Sequence, residues 1–202
     1  MNRIVQNMAR PKEFDEQVAV AEAMDLFWER GFGAASLDAL EAKTGLNRSS
    51  LYNTFGGKVE LFCKALDAYR EGPCRQLHLP LKEREGAEAL RGYLQGLRSF
   101  VRSREVRNGC LMVNTGLEPG LEEEPRKRVE AHFKALRADF FRAYQIGVAA
   151  GKVNQELTPR EAADWLLTMV RGVLVGAVSG ETVTALERSI QTTSKYLGLE
   201  PV

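Results

Sequence analysis

The sequence predicts an all-α protein of about nine helices. Apolar residues recur at helical spacing along most of its 202 residues, as at Val20, Ala23, Met24 and Phe27. No segment with the strand-like alternation of apolar and polar residues competes with this pattern. Glycine and proline residues fall between the periodic segments, where they mark turns and helix ends. We therefore expect packed helices around a substantial buried core.

A helix-turn-helix pair is predicted near the N-terminus. Ser36 is placed to cap the first helix of the pair, and Thr44-Gly45-Leu46 forms the turn because glycine reaches positive φ without steric cost. Asn47 can cap the second helix, whose Leu51 and Phe55 share an inward face. The polar residues of the second helix then point outward, as in a helix that contacts the DNA major groove.

The other helices are placed by periodicity and by their breakers. A first helix runs from Phe14 to Gly31, which we expect to cap its C-terminus. Gly72-Pro73 and Pro80 are expected to interrupt the chain after the fourth helix, where a hinge joins the N-terminal and C-terminal regions. The remaining helices are predicted at residues 58–70, 85–104, about 110–118, 121–150, 158–179 and 182–196.

The charge balance does not by itself indicate a nucleic-acid partner. Net charge is only +1, and residues 1–60 hold seven basic and nine acidic side chains. Any DNA binding must therefore depend on where the cations lie. Residues 1–12 are expected to form a flexible arm whose cations either contact phosphates or belong to a solvated tail.

Metal and enzyme chemistry find little support in the sequence. Cys63, Cys74 and Cys110 lack the paired spacing of a disulfide framework or a zinc site, and His78 and His132 are the only histidines. We therefore expect no metal and no cofactor. No nucleophile stands at a readable spacing from a base, and no glycine-rich loop is typical of phosphate binding. Neither a secretory signal nor an apolar run of roughly 20 residues is present, so the cytoplasm is the expected location.

The helix-turn-helix segment belongs to a longer pattern. The order A-x-x-L-F-x-x-x-G-F from Ala23 to Phe32 is followed by Ser36, T-G-L-N, S-L-Y, F-G-G-K and L-F. This pattern, over roughly residues 12–62, resembles the N-terminal domain of the TetR family of bacterial transcriptional regulators. The positions that depart from the family pattern are Glu41, Asn53 and Gly57.

The resemblance implies a DNA-binding surface on the second helix of the pair. Arg48 is the best base reader because its planar guanidinium can pair with guanine O6 and N7. Tyr52 stands in a Leu-Tyr pair that commonly bonds a phosphate in the family, with half-buried packing as its alternative. Lys58 suits a phosphate at the start of the fourth helix, with an ordinary exposed lysine as its alternative. The other residues expected on this surface are Ser36, which has simple capping as its alternative, and Lys43, Thr44, Ser49, Ser50 and Asn53.

The last two predicted helices suggest a homodimer. One helix-turn-helix offers too little surface to select a genomic site, so such proteins bind palindromes as dimers. The family resemblance implies a four-helix bundle across the two-fold axis, and small Gly172 and Gly176 would let helices approach closely. The expected interface residues are Leu166, Val170, Val173, Leu174 and Ala177, unless this face packs only within the monomer.

The resemblance also implies a ligand pocket in the helical core between residues 80 and 180. Its ligand is an unidentified small molecule. Plain core packing is the alternative for the apolar and aromatic residues of the expected lining, and a structural hydrogen bond is the alternative for Asn114 and His132. That lining consists of Phe100, Cys110, Met112, Asn114, Phe133, Trp165 and Met169, with His132 and Phe140 as further members.

Cys110 lies in the run G-C-L-M-V-N, which resembles a G-C-L-x-x-N segment of one branch of the family. Two interpretations of this thiol stay open. At the start of a short helix, near Arg104 and Arg107 in sequence, a lowered pKa would let it react with electrophiles or oxidants. A buried small hydrophobic residue is the alternative.

These observations favour a sequence-specific transcriptional regulator, a repressor that a small-molecule, electrophile or oxidant effector releases from its operator. Residues 1–60 are expected to form the DNA-binding domain, and residues 61–202 the ligand-sensing and dimerisation domain. Palindromic double-stranded DNA, the effector and a second copy of the chain are the expected partners, and activation of genes remains open. The alternative is a helical protein-interaction module with a non-functional helix-turn-helix, which predicts no salt-dependent DNA binding.

Overall fold

The computed structural model describes residues 15–199, and within this range the chain is all helical, with no strand. This confirms the predicted fold class. None of the described helices is long and apolar enough to cross a lipid bilayer. The arm predicted at residues 1–12 lies outside the described residues.

The helices are α1 (Glu16–Ala34), α2 (Leu37–Thr44), α3 (Arg48–Phe55), α4 (Lys58–Glu71), α5 (Pro73–Glu83), α6 (Gly86–Arg102), a 3₁₀ turn (Glu105–Asn108), α7 (Leu111–Gly116), α8 (Glu123–Ala149), α9 (Pro159–Val178) and α10 (Val183–Tyr196).

Helix α1 begins at a side-chain cap and bends at a glycine. The Asp15 carboxylate accepts a hydrogen bond from the backbone N–H of Gln17 at 2.8 Å. At Gly31 φ is +77° and ψ is 167°, so the helical geometry breaks there, and one short turn continues to Ala34. The predicted end of the first helix is therefore a break within α1.

Helix α4 joins the helix-turn-helix to the rest of the protein. It packs against α1 on one side and against α8 on the other. Phe62 of α4 lies 4.7 Å from the ring of Phe27 and 4.9 Å from that of Phe32, and this aromatic cluster fixes the helix on α1. The domain boundary expected after residue 60 falls in the first turn of α4.

Helix α5 is the element that the sequence prediction left out. Pro73 occupies its first turn, where a missing N–H costs nothing, and Pro80 lies inside the helix instead of breaking it. A Cβ on Gly92 of α6 would lie 2.7 Å from Pro80 Cβ, so the two helices approach very closely there. Packing against α6 thus stabilises a helix that local propensity disfavours.

Candidate DNA-binding surface and internal cavity

The helix-turn-helix pair is built by local capping and by a small buried core. Ser36 Oγ accepts from Ala39 N–H at 3.1 Å, and Asn47 Oδ1 accepts from Ser50 N–H at 2.8 Å. Gly45 ends α2 with φ at +70°. Leu51 and Phe55 of α3 are buried, as predicted. The outward face of α3 is formed by Arg48, Ser49, Tyr52 and Asn53, and Tyr52 is 48% exposed.

Arg48 is held by two acidic side chains of α2. Its Nη2 lies 2.6 Å from Asp38 Oδ1 and its Nε lies 3.8 Å from Glu41 Oε2. The Glu41 carboxylate also accepts a hydrogen bond from the backbone N–H of Arg48. Glu41, which departs from the family pattern, therefore ties the start of α3 to α2. Contact between Arg48 and a base requires that the exposed ion pair with Asp38 opens.

Other predicted DNA-contact residues have partners within the helix-turn-helix region. Lys43 Nζ lies 3.1 Å from Glu22 Oε2 of α1. Thr44 Oγ1 donates to the Leu40 carbonyl at 2.7 Å, so its hydroxyl stabilises the turn. Asn53 Nδ2 donates to Ser49 Oγ at 3.4 Å along the exposed face of α3.

Lys58 lies at the N-terminus of α4, beside the DNA-facing helix. Its Nζ is 4.3 Å from the centroid of the Phe32 ring, a cation–π contact. Partial burial lowers the pKa of Lys58, and the nearby Glu118 carboxylate opposes this shift. Gly57 provides no side-chain cap for α4, so the first N–H groups of the helix lack a side-chain acceptor there. An ammonium and free N–H groups at a helix N-terminus are suited to a phosphate.

The ion pair of Arg48 leads to a pair of opposite predictions. We expect Arg48→Ala to weaken operator binding by about 1–3 kcal/mol and to relax the sequence preference at one base pair. Asp38→Asn should instead strengthen binding a few-fold, because it releases the guanidinium and removes a negative charge facing the phosphates. Titration of both variants against operator and mutated operators measures the two effects. Unchanged affinity in Arg48→Ala would restrict Arg48 to the contact with Asp38 and Glu41.

A partly open cavity of about 520 Å³ extends into the helical core. Phe100, Cys110, Phe133 and His132 line it, as the sequence analysis expected. The other predicted lining residues do not. Met112 and Phe140 are buried in the core, and Asn114 Nδ2 donates a hydrogen bond to the Asn108 carbonyl at 2.7 Å. Trp165 packs against Tyr196, and Met169 lies in a groove between α9 and α10.

Several further lining residues with aromatic or chemically reactive side chains were not singled out as a ligand site by the sequence analysis. They are Trp28, Tyr69, Cys74, His78 and Tyr93. Two of them belong to α5, the helix that the sequence analysis missed. Cys74 and His78 are four residues apart, a spacing that places both side chains on one face once the segment is known to be helical.

Cys110 lies in the wall of this cavity. It is 6% exposed, and burial raises the pKa of its thiol. A hydrogen bond with Tyr69 and bonds from backbone groups act against this shift, whereas Arg104 and Arg107 are not among its causes. The thiol is therefore protonated at neutral pH and has little nucleophilic character. This environment supports the buried alternative for Cys110.

Two hydrogen bonds connect the cavity region to the helix-turn-helix. Trp28 Nε1 of α1 donates to the Gly109 carbonyl at 3.0 Å, directly before Cys110. The backbone N–H of Phe32 donates to Glu118 Oε1 at 2.7 Å. Trp28 also lines the cavity, so one side chain contacts both regions.

Most of the predicted dimer face is buried in the single chain. Leu166, Val170, Val173 and Leu174 are all buried within the single chain. Val170 and Leu174 line the cavity, and Val173 lines a groove between α9 and α10. Ala177 is partly buried. A groove between α9 and α10 remains open to solvent, and it is lined by small and apolar residues. These include Met169, Gly172, Val175, Gly176 and Ala185.

The fold and the exposed α3 define a helix-turn-helix protein whose α-helical core domain contains a cavity. Two family models match the chain. Residues 19–64 match the model described as bacterial regulatory proteins, tetR family, and residues 86–193 match the tetracyclin repressor-like C-terminal domain. The chain belongs to the TetR family and is a DNA-binding transcriptional regulator.

Relatives match over most of their length. The HTH-type transcriptional repressor ComR of Escherichia coli K12 is 28% identical over 206 residues, which cover 98% of this chain and 94% of ComR. The uncharacterized HTH-type transcriptional regulator YezE of Bacillus subtilis is 31% identical over 155 residues, covering 75% and 79%. A cysteine triple mutant of the TetR family regulator CifR, complexed with 26-bp double-strand operator DNA, superposes with a TM-score of 0.82. That match has 27% identity and covers 94% of this chain and 100% of the CifR chain.

Proposed function

We propose that this protein is a homodimeric, cytoplasmic repressor that leaves its operator when an effector occupies the internal cavity. The observation that supports this most strongly is the whole-chain similarity to CifR, which is bound to operator DNA. The similarity to the repressor ComR points in the same direction. In this chain α3 presents an exposed polar face, and Tyr52 stands at its centre.

Different residues of this surface contact the phosphates and the bases of the DNA. Tyr52 and Lys58 contact phosphates and fix the position of α3 on the duplex, while Arg48 and Asn53 read base edges. Ser49 and Ser50 are short, so the helix can approach the groove closely. Two copies of α3, separated by about 34–36 Å, fit half-sites one helical turn apart.

A second copy of the chain docks on the groove between α9 and α10. Gly172 is exposed there, and a Cβ built on it meets no atom within 4 Å. Val178 and Val183 flank the α9–α10 connection and are each 42% exposed. Apolar residues at a surface of this kind are covered when two helix pairs form a four-helix bundle.

Effector release follows from the contacts between cavity and α1. A ligand that displaces Trp28 breaks its hydrogen bond to Gly109 and shifts α1. Helix α2 packs on α1, and α3 packs on α2, so the shift reaches the DNA-facing helix. The separation of the two α3 helices then no longer fits successive major grooves. Such a population shift requires only a few kcal/mol of differential affinity for the two conformations.

The proposal is tested by selecting bound duplexes from genomic fragments and titrating the best one with three proteins. We expect the wild type to bind a palindrome as a dimer, with an affinity that falls steeply with salt. Tyr52→Ala should lose binding, and Tyr52→Phe should show an intermediate loss because only the hydroxyl contact to phosphate is removed. If no site is enriched, or if Tyr52→Ala binds like wild type, the interaction-module alternative replaces the repressor.

A further inference from the structure

The connection between α7 and α8 directs one carboxylate to the end of α1. Glu118 lies in this connection, and its Oε1 accepts a hydrogen bond from the backbone N–H of Phe32 at 2.7 Å. The preceding Leu117 is 66% exposed, so the connection turns its charged side chain inward and leaves its apolar one in solvent. This reverses the usual distribution of polar and apolar residues and indicates that the carboxylate is held for its contact with α1.

The Glu118 carboxylate occupies a space that two glycines leave open. At Gly31 ψ is 167°, which turns the N–H of Phe32 out of the helical direction, so this N–H needs an acceptor from outside α1. A Cβ on Gly31 would overlap Glu118 Oε1, and a Cβ on Gly33 would lie 3.4 Å from Oε2. Residues 31–33, which we refer to as the Gly-Phe-Gly segment, are therefore shaped to receive this carboxylate.

The same group of contacts includes Lys58, the proposed phosphate ligand at the first position of α4. Its Nζ lies 4.3 Å from the centroid of the Phe32 ring. Burial lowers the pKa of Lys58, and the Glu118 carboxylate opposes this shift, so the two charges act on each other. Arg126 and Glu130 of α8 line a pocket with Glu118, and their opposite charges offset each other. Phe32 therefore contacts Glu118 through its backbone and Lys58 through its ring.

Helix α7 is fastened to α1 before its first turn and after its last. The Gly109 carbonyl, which precedes α7, accepts a hydrogen bond from Trp28 Nε1 at 3.0 Å. After α7, Glu118 accepts from Phe32, which lies one helical turn further along α1 than Trp28. Two fixed points on α1 leave α7 little freedom to move alone, so they define where the Glu118 carboxylate lies.

We propose that Glu118 is a positioning residue for DNA binding, which holds the end of α1 and Lys58 in the arrangement that contacts a phosphate. A carboxylate repels DNA, so Glu118 acts through Phe32 and Lys58 and not by a contact of its own. Ser36 and α2 follow directly after the end of α1, so the same contact also fixes the entry to the helix-turn-helix. This role rests on the proposed function, because Lys58 is a phosphate ligand only if the protein binds DNA.

Two substitutions at Glu118 separate the hydrogen bond from the charge. Glu118→Gln keeps an oxygen that can accept from Phe32, whereas Glu118→Ala leaves the Gly-Phe-Gly segment without an acceptor. We expect Glu118→Ala to weaken operator binding about 10-fold and Glu118→Gln to restore most of that loss. Glu122→Ala is the matched control, because it removes the same charge from the same connection at an exposed residue without a side-chain cap bond.

The salt dependence of operator binding distinguishes positioning from a structural role. Loss of one phosphate contact lowers the slope of log affinity against log salt concentration by about 1. We expect this change in Glu118→Ala and in Lys58→Met, and no further change when the two are combined. A protein that is only destabilised would lose active molecules and keep the wild-type slope. Thermal unfolding of each variant measures that loss.

Amide hydrogen exchange measures the contact without DNA. We expect the Phe32 N–H to exchange at least about 10-fold faster in Glu118→Ala than in the wild type, because its acceptor is gone. Glu122→Ala should exchange like the wild type.

Three results would overturn the role of Glu118. Wild-type affinity and slope in Glu118→Ala would reduce the contact to a local structural bond and leave the repressor intact. Tighter operator binding by Glu118→Ala would mean that the carboxylate competes with phosphate for Lys58. A wild type that binds no operator would overturn the repressor together with this role, even if the exchange of Phe32 confirms the contact itself.

Discussion

Gly172→Glu is expected to be a folded monomer that has lost specific operator binding. Gly172 is exposed on α9, and a Cβ at this position meets no atom within 4 Å, so the side chain can be added without disturbing the single chain. In the proposed dimer the same position faces a second copy, where a carboxylate would be desolvated without a partner. Loss of one half-site should weaken binding on the order of 10³-fold or more, towards non-specific affinity. Analytical ultracentrifugation and operator titration measure the two effects.

Gly172→Ala is the matched control for this prediction. Alanine keeps the surface small and replaces a poor helix former, so it should raise the free energy of unfolding by up to about 1 kcal/mol. We expect this variant to remain a dimer with wild-type affinity for the operator. A Gly172→Glu protein that is still a dimer would place the interface elsewhere than the groove between α9 and α10.

Phe62→Ala is expected to lower the free energy of unfolding by about 3–5 kcal/mol. Phe62 is 0% exposed and contacts the rings of Phe27 and Phe32, so its removal leaves a cavity between α1 and α4. The loss is a large part of the 5–15 kcal/mol that typically stabilises a folded protein. It should lower the unfolding temperature by roughly 6–20 °C for a chain of this size. Calorimetry or urea unfolding at fixed protein concentration measures the change.

Phe141→Ala provides the comparison at an exposed site. Phe141 lies on α8 and is 39% exposed, so the same substitution removes less buried surface. We expect its loss of unfolding free energy to be well under half of that in Phe62→Ala. Equal losses in the two variants would contradict the central place of the aromatic cluster between α1 and α4.

Local sequence signals predicted the helix-turn-helix well. Ser36 and Asn47 cap α2 and α3 as expected, and Gly45 adopts positive φ at the turn. Each of these features depends on a few neighbouring residues, so a sequence pattern is sufficient to find it. The contacts of this region were less predictable. The ion pair of Arg48 with Asp38 depends on the packing of α2 against α3, which no single segment specifies.

The orientation of α9 was also not predictable from the sequence. Its segment is apolar on almost every side, so periodicity does not tell which face points inward. The prediction selected Leu166, Val170, Val173 and Leu174, and the structure buries all of them. Helix α8 covers the opposite side of α9, so the face with Met169, Gly172 and Val175 is the one that stays open.

The sequence by itself determined the all-α class, the helix-turn-helix and most helix boundaries, because capping, periodicity and turn formation act over a few residues. Only the tertiary structure decided that the segment with Pro73 and Pro80 is a helix, since packing against α6 outweighs its weak propensity. The same packing brings Cys74 and His78 to His132, which lies far away in sequence. A site assembled from distant segments depends on how the helices pack, and that information is spread over the whole core.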